Sequence, residues 1–193
     1  MKPAWPFGDL TPMKYGLILA DPPWRYELRS EKGEAKSPQS KYDCMTIPEI
    51  AALPVHLLAA PDCLLCMWAT APMLPQALAT LRAWKFRYVS AGAWAKQSKR
   101  GRSWAFGTGY VWRSAAEFML LGAIGKPEFG SQSERNLIVA PVREHSRKPD
   151  EAYEVLERLY PRAWRCELFA RQRRAGWDAW GNEVDHFSRE EVA

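Results

Sequence analysis

The sequence predicts an α/β fold with a mainly parallel sheet, and three features of its 193 residues indicate that class. Short apolar runs of strand length alternate with segments of helical periodicity. The runs 17–20 and 63–68 lack polar alternation, as strands covered on both faces do. Two prolines end the first run at Asp21-Pro22-Pro23-Trp24, where the carboxyl edge of such a sheet would bind a ligand. At this length we expect a single domain, residues 1–193.

Six strands and three helices are predicted in chain order. The strands are 17–20, 63–68, 86–95, 116–124, 137–140 and 164–170. The first helix begins at the capping box formed by Thr46 and Glu49 and ends before Pro54. Thr70 is expected to cap the second helix, whose apolar positions share one face. The third helix begins at 148–151, where a proline and two acids suit the first turn and the positive end of the helix dipole.

The composition favours a polyanionic partner in a reducing compartment. The net charge of +5 is consistent with nucleic-acid binding. Cys63 and Cys66 alternate along a strand, so we expect them on opposite faces rather than sharing a zinc ion, and we predict no metal site. Because the sequence has neither a leader nor a run of membrane-spanning length, we expect a cytoplasmic protein without a membrane partner.

The tetrapeptide Asp21-Pro22-Pro23-Trp24 has the chemistry to hold a flat base that bears an amino group. Trp24 offers a face for stacking, and Asp21 and the carbonyl of Pro22 can accept hydrogen bonds from an exocyclic amino group. The proline rings would keep these acceptors in place. An ordinary Pro-Pro turn with Trp24 in the core fits the same four residues, and they alone leave both interpretations open.

Residues 96–110 form a segment that suits a nucleic-acid strand. The segment combines four cations, three glycines and three aromatic residues without helical or strand periodicity. We expect the cations to contact phosphates and the rings to stack on bases. A solvated loop with buried rings is the alternative. The four cations are Lys96, Lys99, Arg100 and Arg102.

Three blocks along the chain carry a family resemblance. They are Asp21-Pro22-Pro23-Trp24, the stretch 145–153, and the pair of stretches 167–171 and 176–183. In this order they resemble the MT-A70 family of S-adenosylmethionine-dependent adenine N6-methyltransferases. The resemblance implies a Rossmann-like methyltransferase fold with a mainly parallel seven-stranded sheet and an antiparallel edge strand. It also implies a permuted motif order, with the catalytic strand before the cofactor strand.

The resemblance implies S-adenosylmethionine as cofactor and a catalytic role for Asp21, Pro22, Pro23 and Trp24. It assigns Lys148 to the methionine carboxylate, and Arg171 and Asn182 to the ribose and adenine. The full set of expected cofactor contacts is Asp21, Lys148, Glu167, Phe169, Arg171, Arg173, Asn182 and Glu183. Arg173 and Arg174 stand where relatives carry a His-Asn pair, which leaves the second contact to the carboxylate open.

The nucleic acid that the resemblance implies is expected to be DNA rather than RNA, because the sequence shows no appended RNA-binding module. An RNA methyltransferase and a catalytically silent nucleic-acid-binding partner are the alternatives, and a homodimer stays open. Arg25, Tyr42 and Arg113 are predicted to join the basic segment in contacting the nucleic acid. We interpret Glu117, inside an apolar strand, as a paired structural carboxylate rather than an active-site support.

Overall fold

The computed structural model describes residues 5–25, 44–107, 109, 111–144 and 146–187. A seven-stranded sheet forms its centre. The strands are β1 (Tyr15–Ala20), β2 (Ala59–Ala69), β3 (Arg87–Gln97), β4 (Ala116–Ile124), β5 (Leu137–Pro141), β6 (Arg165–Leu168) and β7 (Asp178–Trp180). Their order in the sheet is β5-β3-β4-β2-β1-β6-β7. The predicted α/β class is confirmed.

The antiparallel strand occupies a different place from the one expected. β4 runs antiparallel to both β2 and β3, whereas the other strand pairs are parallel. The expectation of an antiparallel edge strand is therefore wrong in position, because β5 and β7 form the edges. After residues 98–115 the chain turns back from β3 and enters between β3 and β2. The largely apolar composition of β4 suits that interior place.

The two strands that precede the catalytic and cofactor motifs are neighbours in the sheet. β1 and β6 lie side by side and parallel, with Ala20 opposite Leu168. Residues that follow these two strands therefore meet at one edge, although they are far apart in the sequence. β7 was missed as a strand because its three residues are too few to show alternation.

Three α-helices cover the sheet: α1 (Ile47–Ala52), α2 (Leu74–Ala83) and α3 (Asp150–Leu159). The capping box at Thr46 is present, as predicted. Thr70 does not cap α2, because a 3₁₀ turn intervenes and Met73 is the N-cap residue. Pro149 is the N-cap of α3 instead of its first helical residue. In the described part of the chain, each helix is too short or too polar to cross a membrane.

The core consists of two clusters, one on each face of the sheet. α1 and α2 cover the face that includes Ile18 and Leu65, and α3 covers the face that includes Leu17 and Leu64. Cys63 and Cys66 fall in opposite clusters, which confirms the alternation predicted for them. Because β1 is buried along its whole length, the residue that follows it is held firmly at the sheet edge.

Candidate active site

A cavity of about 600 Å³ opens at the carboxyl edge of the parallel strands. Asp21 reaches it from the end of β1, and Phe169 and Arg171 reach it from the end of β6. β4 contributes its first residues instead of its last, because it runs in the opposite direction. Glu117 therefore arrives at the same edge as the residues that end the parallel strands.

Four side chains of alternating charge cross this cavity. The Lys148 Nζ lies 2.7 Å from Asp21 Oδ2 and 3.3 Å from Glu117 Oε2. The Nζ of Lys96 binds the other carboxylate oxygen of Glu117. Lys148 lies just before α3, so the chain of contacts joins β1, β3, β4 and the start of that helix. The four formal charges cancel, which is how buried charges are tolerated.

The environment of each carboxylate sets its pKa. Burial alone would raise the pKa of Glu117, but Lys148 and Lys96 lower it to about 2. Burial also raises the pKa of Asp21, and Lys148, with a smaller contribution from Arg171, opposes this only in part. Burial tends to lower the pKa of Lys148, but the two carboxylates raise it above its ordinary value. Asp21 is therefore the better proton acceptor of the two carboxylates.

The backbone after β1 is fixed by hydrogen bonds. The N–H of Trp24 donates to the carbonyl of Pro22 at 2.8 Å, and the N–H of Met45 donates to the carbonyl of Pro23 at 3.1 Å. A carbonyl oxygen has two lone pairs, so Pro22 can still accept a second hydrogen bond. The indole N–H of Trp24 donates to the carbonyl of Trp68, and its ring is only 4% exposed. Trp24 lines the cavity, and its role in stacking stays a prediction.

Two arginines that line the cavity also contact the aromatic ring of Phe187. Arg171 Nε lies 2.8 Å from Glu183 Oε2. The guanidinium carbons of Arg147 and Arg171 lie 5.2 and 4.8 Å from the ring centre of Phe187. A side chain at Gly181 would come within 2.6 Å of the Ala170 carbonyl, so a glycine there allows this close approach. The approach brings the chain after β7 against Arg171.

Six of the eight expected cofactor contacts line the cavity. They are Asp21, Lys148, Phe169, Arg171, Asn182 and Glu183. Glu167 lies in the core instead, where it accepts a hydrogen bond from the Tyr153 hydroxyl at 2.9 Å. Burial raises the pKa of Glu167 to about 7. Arg173 points to solvent and pairs with Asp185.

The expected nucleic-acid contacts divide into three groups. Lys99, Arg100, Arg102 and Arg113 are exposed on the connection between β3 and β4, and Arg25 is exposed after the tetrapeptide. Lys96 faces the cavity and is paired with Glu117, so its position does not support a phosphate contact. Tyr42 lies outside the described residues.

Sequence reasoning missed several cavity residues and interpreted Glu117 differently. The structure places Glu117 in the cavity between two lysines, which supports the active-site role that was the less favoured one. Trp68 ends an apolar run, and that position was the available signal for it. Phe187 follows the last recognised block, and nothing local marks it. Trp68, Trp94, Arg143, Arg147 and Trp180 are among the cavity residues that sequence reasoning missed.

Comparison with known proteins gives consistent results. The MT-A70 family model matches residues 15–183. An Arabidopsis thaliana protein named N(6)-adenosine-methyltransferase MT-A70-like is 34% identical over 89% of this chain and 24% of its own length. The type II methyltransferase M.MunI from Mycoplasma sp is 30% identical over 92% of this chain and 81% of its own length. The human N(6)-adenosine-methyltransferase catalytic subunit METTL3 is 30% identical over 89% of this chain and 28% of its own length. The chain thus spans about a quarter of the plant and human proteins.

Proposed function

Because this chain belongs to the MT-A70 family, we propose that it is an S-adenosylmethionine-dependent methyltransferase that acts on the N6 amino group of adenine in DNA. The observation that carries the proposal is the Asp21 carboxylate, held 2.7 Å from Lys148 in a cavity that Arg171 and Asn182 also line. A hydrogen-bond acceptor for the adenine amino group and a set of groups suited to the cofactor therefore line the same cavity.

The preference for DNA is supported by the similarity to M.MunI, whose name places it among the type II methyltransferases, a class that modifies DNA, and which is 30% identical to this chain. The plant and human relatives named N(6)-adenosine-methyltransferases are 34% and 30% identical. RNA is therefore the second substrate to test.

The donors and acceptors of the cavity fit S-adenosylmethionine. Lys148 has a third N–H with which to hold a carboxylate, beyond those it gives to Asp21 and Glu117. Asn182 and Glu183 can bind ribose hydroxyls, and Phe169 offers an apolar surface for a purine. A cavity of about 600 Å³ is also within the range typical of cofactor sites. When bound, the cofactor supplies an electrophilic methyl group.

Asp21 is proposed to act on the adenine amino group. That nitrogen is a poor nucleophile because its lone pair is delocalised into the ring. Hydrogen bonds from the amino group to Asp21 and to the Pro22 carbonyl would localise the lone pair and stabilise the positive charge that develops. The raised pKa of Asp21 also suits it to accept the proton that the nitrogen loses.

The test is methyl transfer from labelled cofactor to matched DNA and RNA oligonucleotides, followed by nucleoside analysis. We expect N6-methyladenine from DNA in greater yield than from RNA. Asp21→Asn keeps the side-chain shape but loses the negative charge, so turnover at saturating cofactor should fall by roughly 10²–10³-fold.

The matched control is Asp62→Asn. Asp62 lies near the opposite end of β2, and its Oδ1 accepts the N–H of Lys126, a bond that an asparagine oxygen can retain. This variant should methylate at the parent rate. Turnover of Asp21→Asn within a few-fold of the parent would contradict the role of Asp21. Methylated RNA with unmethylated DNA would transfer the proposal to RNA.

A further inference from the structure

Backbone hydrogen bonds join several of the described residues in the connection between β3 and β4. We call its residues 98–115 the β3–β4 loop. Its first lobe is closed by hydrogen bonds from the N–H of Ser98 to Ser103 O at 2.8 Å and from the N–H of Gly101 to Ser98 O at 2.7 Å. Its second lobe is closed by the N–H of Gly107, which donates to Ser114 O at 2.8 Å. The side chains of this loop are therefore presented by a built scaffold.

Large apolar side chains of this loop face water. Trp104 is 59% exposed, Phe106 69%, Val111 84% and Trp112 83%. Exposed apolar groups that cluster on one segment indicate a contact surface. Three of the four are aromatic, which provides flat faces rather than a general apolar patch.

The charge of the same loop has one sign. Lys99, Arg100, Arg102 and Arg113 are exposed, and the sequence from 96 to 115 contains no Asp or Glu. The loop therefore combines cations with flat rings. These match the two components of a nucleic-acid strand, its phosphates and its bases.

The loop begins at the rim of the cavity. The N–H of Lys96 donates to Ala115 O, and the N–H of Ala105 donates to Lys96 O, both at 2.8 Å. The last residue of the loop and a residue near its middle are thus both hydrogen-bonded to Lys96, whose side chain reaches Glu117 inside the cavity. A strand lying along the loop would pass the cavity mouth.

We propose that the β3–β4 loop binds an unpaired strand of nucleic acid, with its bases on Trp104, Phe106 and Trp112 and its phosphates on the four cations. This inference rests on the proposed function, since the strand would deliver the adenine to Asp21. Rings can stack on bases whose faces are open, whereas the bases of an intact duplex are stacked on one another. Cations alone would serve a duplex equally well, so the exposed rings are what favours the unpaired strand.

A second copy of the chain is a less suitable occupant. A two-fold interface places the same patch against itself. The four cations of one loop would then face the four cations of the other, without an acid from the same loop to neutralise them. A polyanion meets the same surface with the opposite charge.

The test measures binding without cofactor and without adenine in the probe. The probe is a labelled oligothymidine of about 15 nucleotides, used single-stranded, as a duplex with its complement, and as its oligouridine equivalent. The single strands should bind more tightly than the duplex. The double variant Trp104→Ala/Trp112→Ala should weaken single-strand binding by roughly ten-fold or more and leave duplex binding nearly unchanged. Comparison of the DNA and RNA probes shows which strand is preferred.

Two control variants separate stacking from charge. Trp164→Ala removes a tryptophan of similar exposure, 68%, just before β6 at the opposite end of the sheet, and should bind like the parent. The triple variant Lys99→Gln/Arg100→Gln/Arg102→Gln should flatten the salt dependence of binding, whereas the tryptophan variant should keep it. The same change at Arg82, Arg87 and Arg162, exposed near the amino end of the strands, should leave the slope unchanged.

Equal affinity for single strand and duplex would overturn the inference. Unchanged single-strand binding in the Trp104→Ala/Trp112→Ala variant would also overturn it. If that variant instead lost concentration-dependent dimers that the parent forms in sedimentation, the loop would be an interface between two copies of the chain. Because the probe carries no methyl acceptor, the result is independent of catalysis. Tight single-strand binding without methylation of any adenine oligonucleotide would contradict the proposed function and leave this inference standing.

Discussion

Two glutamates on either side of Asp21, Glu117 with a 16% exposed side chain and the buried Glu167, carry opposite pKa shifts. Glu117, on β4, has its pKa lowered to about 2, and Glu167, on β6, has its pKa raised to about 7. Burial raises the pKa of both, so burial does not explain the difference. Lys148 and Lys96 contact Glu117, whereas the direct partner of Glu167 is the neutral hydroxyl of Tyr153.

The comparison indicates that the charge of the partner, not depth in the core, decides whether a carboxylate here stays ionised. The β4 side of the cavity is permanently charged at neutral pH. β6 carries Glu167, which lies in the core and whose pKa is raised to about 7. Asp21 lies between them and shares its lysine with Glu117, so its pKa is raised without the strong opposition that Glu117 meets.

The largest expected effect on stability comes from Glu117→Gln. Removing this charge leaves Lys96 and Lys148 with one carboxylate between them, and breaking a buried pair costs about 3–5 kcal/mol. The folded-state pKa of about 2 lies below the ordinary value of 4.5. The carboxylate therefore stabilises the fold above about pH 4.5, and this contribution is lost as pH falls towards 2. Urea unfolding at several pH values measures the free energy of unfolding.

The control for this prediction is Glu154→Gln. Glu154 is an exposed helical glutamate whose carboxylate lies 3.9 Å from Arg158, and its loss should change stability little. A Glu117→Gln variant as stable as the parent at neutral pH would mean that the lysines do not depend on this carboxylate.

A smaller effect of opposite sign is expected from Glu167→Gln. The folded-state pKa of about 7 lies above the ordinary 4.5, so the protonated carboxyl stabilises the fold at low pH, and this stability is lost as pH rises to about 7. At pH 8, glutamine should therefore be more stable than glutamate by roughly 2 kcal/mol, and the two should converge near pH 4.

Tyr153→Phe sharpens this prediction. The hydrogen bond from Tyr153 lowers the pKa of Glu167 against the effect of burial. Its removal should raise that pKa further and extend the loss of stability to higher pH. A parent protein whose stability does not change between pH 5 and 8, relative to Glu167→Gln, would contradict the neutral-partner explanation.

The fold could be predicted from the sequence more fully than the network of charged side chains in the cavity. Apolar runs predicted the sheet, because burial on both faces is a local pattern. The pairing of Lys96 with Glu117 joins residues 21 positions apart and depends on β4 being antiparallel inside the sheet. Since the family resemblance implied an antiparallel strand at the edge of the sheet, it gave no reason to place Glu117 at the cavity.

The same distinction between local patterns and three-dimensional contacts applies to the expected cofactor residues. Asp21, Lys148 and Arg171 were accessible because recognisable blocks surround them, and all three line the cavity. Glu167 and Arg173 belong to the same blocks but lie elsewhere, because strand alternation and loop direction decide which neighbours face a cavity. Phe187 follows the blocks, and its contacts with two arginines exist only in three dimensions.

The smallest effect concerns Phe187 and extends the comparison to cations. Lys148 contacts the ring of Trp68 as well as its two carboxylates, and Arg147 and Arg171 share the ring of Phe187. Phe187→Leu keeps an apolar side chain in this buried place but removes the electron-rich ring face. Because one such contact contributes about 0.5–2 kcal/mol, we expect the cofactor dissociation constant to rise by roughly five-fold. Calorimetry with S-adenosylmethionine measures it.

Measurements on Phe187→Leu distinguish a ring that orients the two arginines from one that only fills space. If the ring orients the arginines, cofactor affinity falls while turnover at saturating cofactor stays near the parent rate, since the variant leaves the ion pair of Asp21 and Lys148 in place. Phe129→Leu, at a half-exposed ring that packs edge-on against Tyr160, should leave affinity unchanged. Unchanged affinity in Phe187→Leu would mean that Glu144 and Glu183, which also pair with these arginines, suffice to hold them. The β6 side would then depend on carboxylates as the β4 side does.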